Sequence, residues 1–235
     1  MKRFYREAAV RPGPDGGELL LDGRPVKTPA RRTLALPTAA LAEALAGEWN
    51  AQGDKVEPRT MPLTGLANAA IDRVEPDKEA FAASLAQYGD SDLLCYRADG
   101  PASLVQRQTA YWDPILAWAR RRYDVDFEIV TGIIHRPQPP ATLARLTHAI
   151  LARDAFALAA LSPLVTVSGS LLIALALAEE AIGLEAAWAA ATLDETWQAE
   201  QWGPDEEATA RLDARRAEFE AADRFLRLLG QAPTP

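Results

Sequence analysis

ELLLDGRPVKTPARRTLALPTAALAEALAGEWNAQ, residues 18–52, changes its hydrophobic period at Pro37, and that change decides the fold class. Before the proline the pattern is that of strands: an apolar run, a turn at Asp22-Gly23, then a second strand in which Pro25 and Pro29 imply an edge position. RTLALP reads as a third short strand. After it, Leu41, Leu45 and Trp49 recur every fourth residue, and Pro37-Thr38 supplies a helix start. Strands followed by helices within one short segment define an α+β protein.

Working outward, MPLTGLANAAIDRV and DKEAFAASLAQYGDSD have helical composition, and LLCYRA reads as a strand. From Pro101 helix dominates. PASLVQRQTAYWDPILAWARRRYD is one amphipathic element in which Pro114 must bend the helix or divide it. FEIVTGI is a candidate strand, and helical pattern then fills residues 139–230. In the last helix Ala208, Leu212, Arg215, Phe219, Ala222, Leu226 and Leu229 form one stripe, while Glu207 with Arg211 and Glu220 with Arg224 are spaced for surface pairs. The expected organisation is a smaller N-terminal domain of strands and helices, residues 1–100, followed by a mainly helical C-terminal domain, residues 101–235.

The 235 residues are 49% apolar and 25% charged, the balance of an ordinary folded protein. A net charge of -8 argues against a nucleic-acid partner, which would require a basic face. Arg120, Arg121 and Arg122 read as the solvated end of a helix. The single cysteine, Cys95, excludes an internal disulfide and sits in the apolar run LLCY as a small hydrophobe. MKRFYREAAV has neither the apolar core of a secretory signal nor the acid-poor character of a transit peptide, so a cytoplasmic location is expected. Residues 155–178 carry no charge and are nominally long enough to span a bilayer. Ser162-Pro163 and Ser168-Gly169-Ser170 interrupt them, which points to two buried helices and no stable membrane insertion.

Catalytic chemistry is poorly supplied. His135 and His148 fall in different elements without the spacing of a ligand pair, so no metal site is expected. No nucleophile elbow, phosphate loop or dinucleotide fingerprint occurs, and no cofactor is implied; VSGS, residues 167–170, reads as a turn. What remains is carboxylate-rich: LDETWQAEQWGPDEEA, residues 193–208, holds six acids and two tryptophans without one basic residue. Read as a single helix, residues 183–202 place Leu184, Trp188, Ala191, Glu195 and Trp202 within about 40 degrees of one another. Glu195 then sits on an apolar, tryptophan-flanked face, and Glu200 lies opposite, near Leu193 and Trp197. Gly203 is placed to end that helix and Pro204 to begin the next, so Asp205, Glu206 and Glu207 occupy a first turn that favours negative charge. For Glu195 two readings stay open: a structural carboxylate paired with an arginine from another helix, or an anchor in a partner-binding aromatic patch. Trp49 and Trp112 are open between core and contact in the same way. A carboxylate-using hydrolase is the enzymatic alternative.

Taken together, LDGRPVKTP, EWNAQ with MPLTGLANAAID, SDLLCYR, WDPILAWARRRY and LDETWQAEQWGPDEEA resemble the alpha-subunit assembly chaperones of the F-type ATP synthase catalytic head, found in mitochondria and alphaproteobacteria. The likeness covers nearly the whole chain and does not extend to the separate beta-subunit chaperones. It implies a non-enzymatic, ATP-independent protein that holds the free alpha subunit until beta replaces it, expected to be monomeric when free. The family's functional positions that match are Trp49 and the acidic run before the Trp-Gly pair, where Glu195 and Glu200 stand; Trp197 and Trp202 frame them. After that pair the chain reads PDEEA, where mitochondrial relatives are more aromatic. With no targeting extension visible, a bacterial protein is the expectation.

Overall fold

The computed structural model describes residues 1–14, 16–203 and 205–230. These divide into two compact units. The first comprises Met1–Lys78, the segment Asp154–Ala160 and the chain from Arg224 onward; the second comprises Glu79–Arg153 and Leu161–Asp223. The division after Lys78 precedes the expected one near Pro101, which lies inside the second unit.

In the first unit, β1 (Ala8–Pro12), β2 (Gly17–Leu21), β3 (Arg24–Pro25) and β4 (Ala35–Leu36) form an antiparallel sheet centred on β2. Ala8 faces Leu21, Leu20 faces Pro25 and Glu18 faces Ala35. The hairpin forms at the expected turn because Asp22 and Gly23 take φ of 47° and 78°, the twist that matches flanking strands. Asp22 also accepts the backbone N–H groups of Arg6 and Glu7, at 3.1 and 3.0 Å, and these bonds hold its carboxyl below the ordinary range. Strand β1 was not among the sequence expectations: AAVRP has no apolar alternation, and β2 supplies its pairing.

Helix α1 (Ala39–Asn50) starts where expected, with the Thr38 hydroxyl accepting the Leu41 N–H. Leu41 and Leu45 are fully buried beside Leu19, Leu34, Met61 and Leu63. Helix α2 (Pro62–Ala69) passes through a π turn at Ala70–Val74 into α3 (Lys78–Ala86). The later segments close this core: Phe225 stacks on Phe156 at 6.4 Å between ring centres. The Thr38 hydroxyl donates to the Leu228 carbonyl at 2.8 Å.

The second unit is built around α4 (Ala102–Tyr123). Trp112, Ile115, Leu116 and Ala119 are its buried face, and the Trp112 indole N–H donates to the Ala190 carbonyl at 2.9 Å. Pro114 does not divide the helix; it lies on the exposed side, where water can satisfy the carbonyl it frees. The expected strand at LLCYRA shrinks to β5 (Tyr96–Arg97), preceded by a tight turn, and pairs in parallel with β6 (Val130–Thr131). The remaining helices are α5 (Pro140–Leu151), α6 (Ala155–Ser168), α7 (Leu171–Ala178), α8 (Leu184–Ala191), α9 (Leu193–Trp202) and α10 (Glu206–Gly230), and of these α7, α8 and α9 pack against α4. Residues of α6 and α10 belong partly to the first unit.

The uncharged run is two helices: α6 continues through Pro163, and the break falls at Gly169 with φ +68°. Every residue of α7 from Leu171 to Leu177 is buried. No helix among the described residues is long and apolar enough to cross a membrane. Asp92 is wholly enclosed and caps α7, accepting the Ser170 hydroxyl at 2.7 Å and the N–H groups of Leu94 and Leu172 at 3.1 and 3.0 Å.

Candidate functional site: the groove between α9 and α10

The expected single helix over residues 183–202 is two helices. Thr192 interrupts them with φ -111° and ψ 15°, and its hydroxyl donates back to the Trp188 carbonyl at 2.9 Å. Threonine competes for backbone groups in this way, and the single non-helical residue re-aims everything after it. Two expectations are corrected as a result. Glu195 does not lie on a buried tryptophan-flanked face, and Glu200 does not lie against the apolar side; both are exposed. Helix α9 is held instead by Leu193 and Trp197, four residues apart and buried.

Each glutamate meets an arginine from another helix. Glu195 receives Arg215 of α10 at 2.7 and 3.0 Å, and the same guanidinium donates to the Val167 carbonyl at 2.9 Å. Glu200 receives Arg107 of α4 at 2.9 Å. Asp194 accepts the Gln108 amide, also at 2.9 Å. These contacts fix the direction of α9. Pairs this open to water contribute little stability, so their effect is positional.

Helix α9 ends at Gly203, with φ +90°, and the Asp205 carboxylate accepts the Ala208 N–H at 2.7 Å as the cap of α10. The capping expected for this acid is present. The expected start at Pro204 lies outside the described residues. Of the two surface pairs expected in α10, Glu207–Arg211 forms at 2.8 Å, whereas Glu220 pairs with Arg216 instead of Arg224.

Between α9 and the start of α10 runs a groove of about 400 Å³ lined by Glu195, Ala199, Trp202, Asp205, Leu212 and Arg215, among others. Trp202 is 76% exposed, its ring edge-on to the buried Trp197 at 5.9 Å. A large indole left in water beside an apolar groove, with a carboxylate and a guanidinium already oriented on its wall, makes this groove the candidate site among the described residues. Leu212 and Arg215 were legible only as members of a helical stripe; nothing in the sequence placed that stripe against α9.

Glu195, Glu200, Trp197 and Trp202 thus share α9 in the second unit, and of these Glu195 and Trp202 line the groove. Trp49 belongs to the first. It is half-buried, packs on Tyr5 at 5.4 Å and gives its carbonyl to the Tyr5 hydroxyl at 2.7 Å. Its indole N–H is enclosed without a hydrogen-bond partner among the described residues. The rest of EWNAQ is a structural junction. Glu48 caps α2 through Leu63 and Thr64, Asn50 bonds both backbone groups of Ala8, and Gln52 accepts the Glu57 N–H. Cys95 is buried, and that burial pushes its thiol up to about 12. His135 lies near Tyr96 and Asp90. Among the described residues no three His, Cys, Asp or Glu side chains are grouped to hold a metal ion.

The fold is α+β with a mainly helical second part, and the chain belongs to the ATP12 chaperone proteins, whose family pattern matches residues 2–120. Its likeness to solved structures is close. Atp12 from Paracoccus denitrificans is 42% identical, with a TM-score of 0.91 over 97% of this chain and 98% of that one. The Atu1473 protein of Agrobacterium tumefaciens is 44% identical, with a TM-score of 0.92 over 97% of this chain and 86% of its own. Mitochondrial protein atp12 of Schizosaccharomyces pombe is 26% identical over 221 residues, 88% of this chain and 75% of that protein.

Proposed function

We propose that this protein is an ATP-independent assembly chaperone: it binds the free alpha subunit of the F-type ATP synthase catalytic head, prevents its aggregation and releases it to beta. The observation that carries the reading is the α9–α10 groove in a chain of the ATP12 family, with Trp202 projecting into solvent and Glu195 on the wall. An unassembled alpha subunit exposes the apolar surface meant for its neighbour, and such a patch aggregates unless covered. Trp202 offers apolar contact area at low entropic cost, buried Trp197 backs it, and Glu195 and Glu200 add direction. Trp49 contributes from the first unit. The hydrolase alternative gains no support from the acids: Glu195 and Glu200 are each engaged by an arginine, and Asp92 is enclosed as a helix cap.

The test follows light scattering as the alpha subunit is diluted from denaturant without ATP, with size exclusion for a joint peak. Wild type is expected to suppress scattering and co-elute. Glu195→Lys places an ammonium beside Arg215 and is expected to impair capture more than Asp205→Lys, which removes the α10 cap at the end of the same groove. Equal capture by both folded variants and wild type would remove Glu195 from the site; no capture by competent wild type would remove the function.

A further inference from the structure

Among the described residues seven large apolar side chains are well exposed, and three of them, Ile129, Ile133 and Ile134, fall within one six-residue stretch. Ile133 is 96% exposed and Ile134 80%, the two most exposed of all seven. Isolated exposed hydrophobes are ordinary, but adjacent β-branched ones at a loop tip are not accounted for by packing.

The base of this loop is held firmly. Strand β6 pairs with β5, and the Gly132 N–H donates to the Arg97 carbonyl at 2.8 Å, with φ +88° at the turn. On the far side, the His135 ring meets the Tyr96 hydroxyl at 2.8 Å and the Asp90 carboxylate at 3.3 Å. Gln138, 3% exposed, spans the loop: its amide bonds the N–H and carbonyl of Glu128, each at 2.9 Å, while its own N–H donates to Asp90 at 2.8 Å. The isoleucines therefore project from a pinned frame, and little ordering is left to be lost on contact.

We propose that Ile133 and Ile134 form a preorganised apolar knob that inserts into an apolar pocket on the free client subunit, a second contact separate from the α9–α10 groove. This rests on the chaperone reading above. A second copy of this chain is a poor occupant, because two isoleucines fall far short of the roughly 800 Å² per partner of a standard stable interface. A lipid surface is a poor one too: His135 and Arg136 are offset by Asp90, Asp126 and Glu128, so no basic cluster holds the tip to anionic headgroups. A subunit awaiting assembly supplies an uncovered apolar pocket, and a small rigid contact grips it without the area that would oppose release.

The experiment uses the full chain as wild type, Ile133→Ser/Ile134→Ser and Ile133→Val/Ile134→Val, with alpha subunit diluted from denaturant. Both substituted side chains are in solvent, so thermal midpoints should match wild type. The serine pair is expected to weaken capture about tenfold to thirtyfold and the valine pair to restore most of it. Undiminished capture by the serine pair, alongside capture by wild type, overturns the knob and leaves the chaperone reading standing. Failure of wild type to capture overturns both. Loss of a wild-type dimer in the serine pair, or loss of wild-type sedimentation with phosphatidylserine vesicles, would assign the tip to self-association or lipid and overturn the client assignment.

Discussion

Replacing Asp92 by asparagine tests whether a buried charge sits at the centre of the helical unit. Asp92 is fully enclosed, and burial pushes its carboxyl from 3.8 up to about 6, although the Ser170 hydroxyl and the Leu172 and Leu94 N–H groups pull the other way. The folded protein thus binds this proton more tightly than the unfolded chain. Its contribution to stability is complete below pH 3.8 and is lost as pH rises through about 6. A rise of about two units at about 1.4 kcal/mol each makes the whole effect about 3 kcal/mol. An amide cannot ionise, so the variant lacks this slope. It pays a constant cost instead: its carbonyl can keep the Ser170 and Leu94 donors, but its NH2 then faces the Leu172 N–H, an unpaired donor worth about 1–3 kcal/mol. Urea unfolding of both proteins from pH 4 to pH 7 isolates the residue, because all other titrations cancel in the difference. The variant should gain on wild type by about 2–3 kcal/mol across that range. A difference independent of pH would refute the buried-charge argument.

Trp112→Ala should cost about 3–5 kcal/mol in urea unfolding, since the side chain is wholly buried and its indole N–H serves the Ala190 carbonyl; a loss below about 1 kcal/mol would contradict its place in the core. A Cβ on Gly16 would fall on the Leu36 carbonyl and lie 2.8 Å from the Thr38 nitrogen, so Gly16→Ala should destabilise by about 1–3 kcal/mol. Gly47→Ala, inside α1 with nothing within 4 Å, should stabilise by about 0.4–1 kcal/mol; the opposite order in thermal midpoints would show the β4–α1 corner misread.

Local chemistry made parts of the fold legible. The Asp22-Gly23 hairpin, the Thr38 cap and the Leu41–Leu45 face are each decided by neighbours in sequence, and each stands where expected. Strand β1 was hidden because its signal is a pairing with β2, and the division after Lys78 was hidden because residues 154–160 and the chain from Arg224 return to the first unit. Pro114 and Pro163 illustrate the same limit from the other side. A proline's cost depends on what replaces the lost backbone bond, and both helices continue through theirs.

The acidic, tryptophan-rich segment shows why a site can be located from sequence and still be drawn wrongly. Residues 193–208 stand out by composition, and two of the candidate side chains there, Glu195 and Trp202, line the groove. Their orientation depended on phase across Thr192, where one residue with ψ 15° replaces a helical ψ and breaks the 100-degree count. Extending the helix through it turns Glu195 onto an apolar, tryptophan-flanked face, although the arginine pairing that is one of its two readings is present with Arg215. With the break, Leu193 and Trp197 take the inward positions, while Glu195, Glu200 and Trp202 face water. The break thus sorts the segment into two sets: one pair of side chains fastens α9 to the unit, and the other three stay on its exposed side. Restoring helical continuity with Thr192→Ala removes the hydroxyl bond to the Trp188 carbonyl and gives the backbone a reason to straighten. If the exposed face depends on the break, Trp202 in that variant should lose accessibility to an aqueous fluorescence quencher; unchanged quenching would mean that Leu193 and Trp197 alone set the phase.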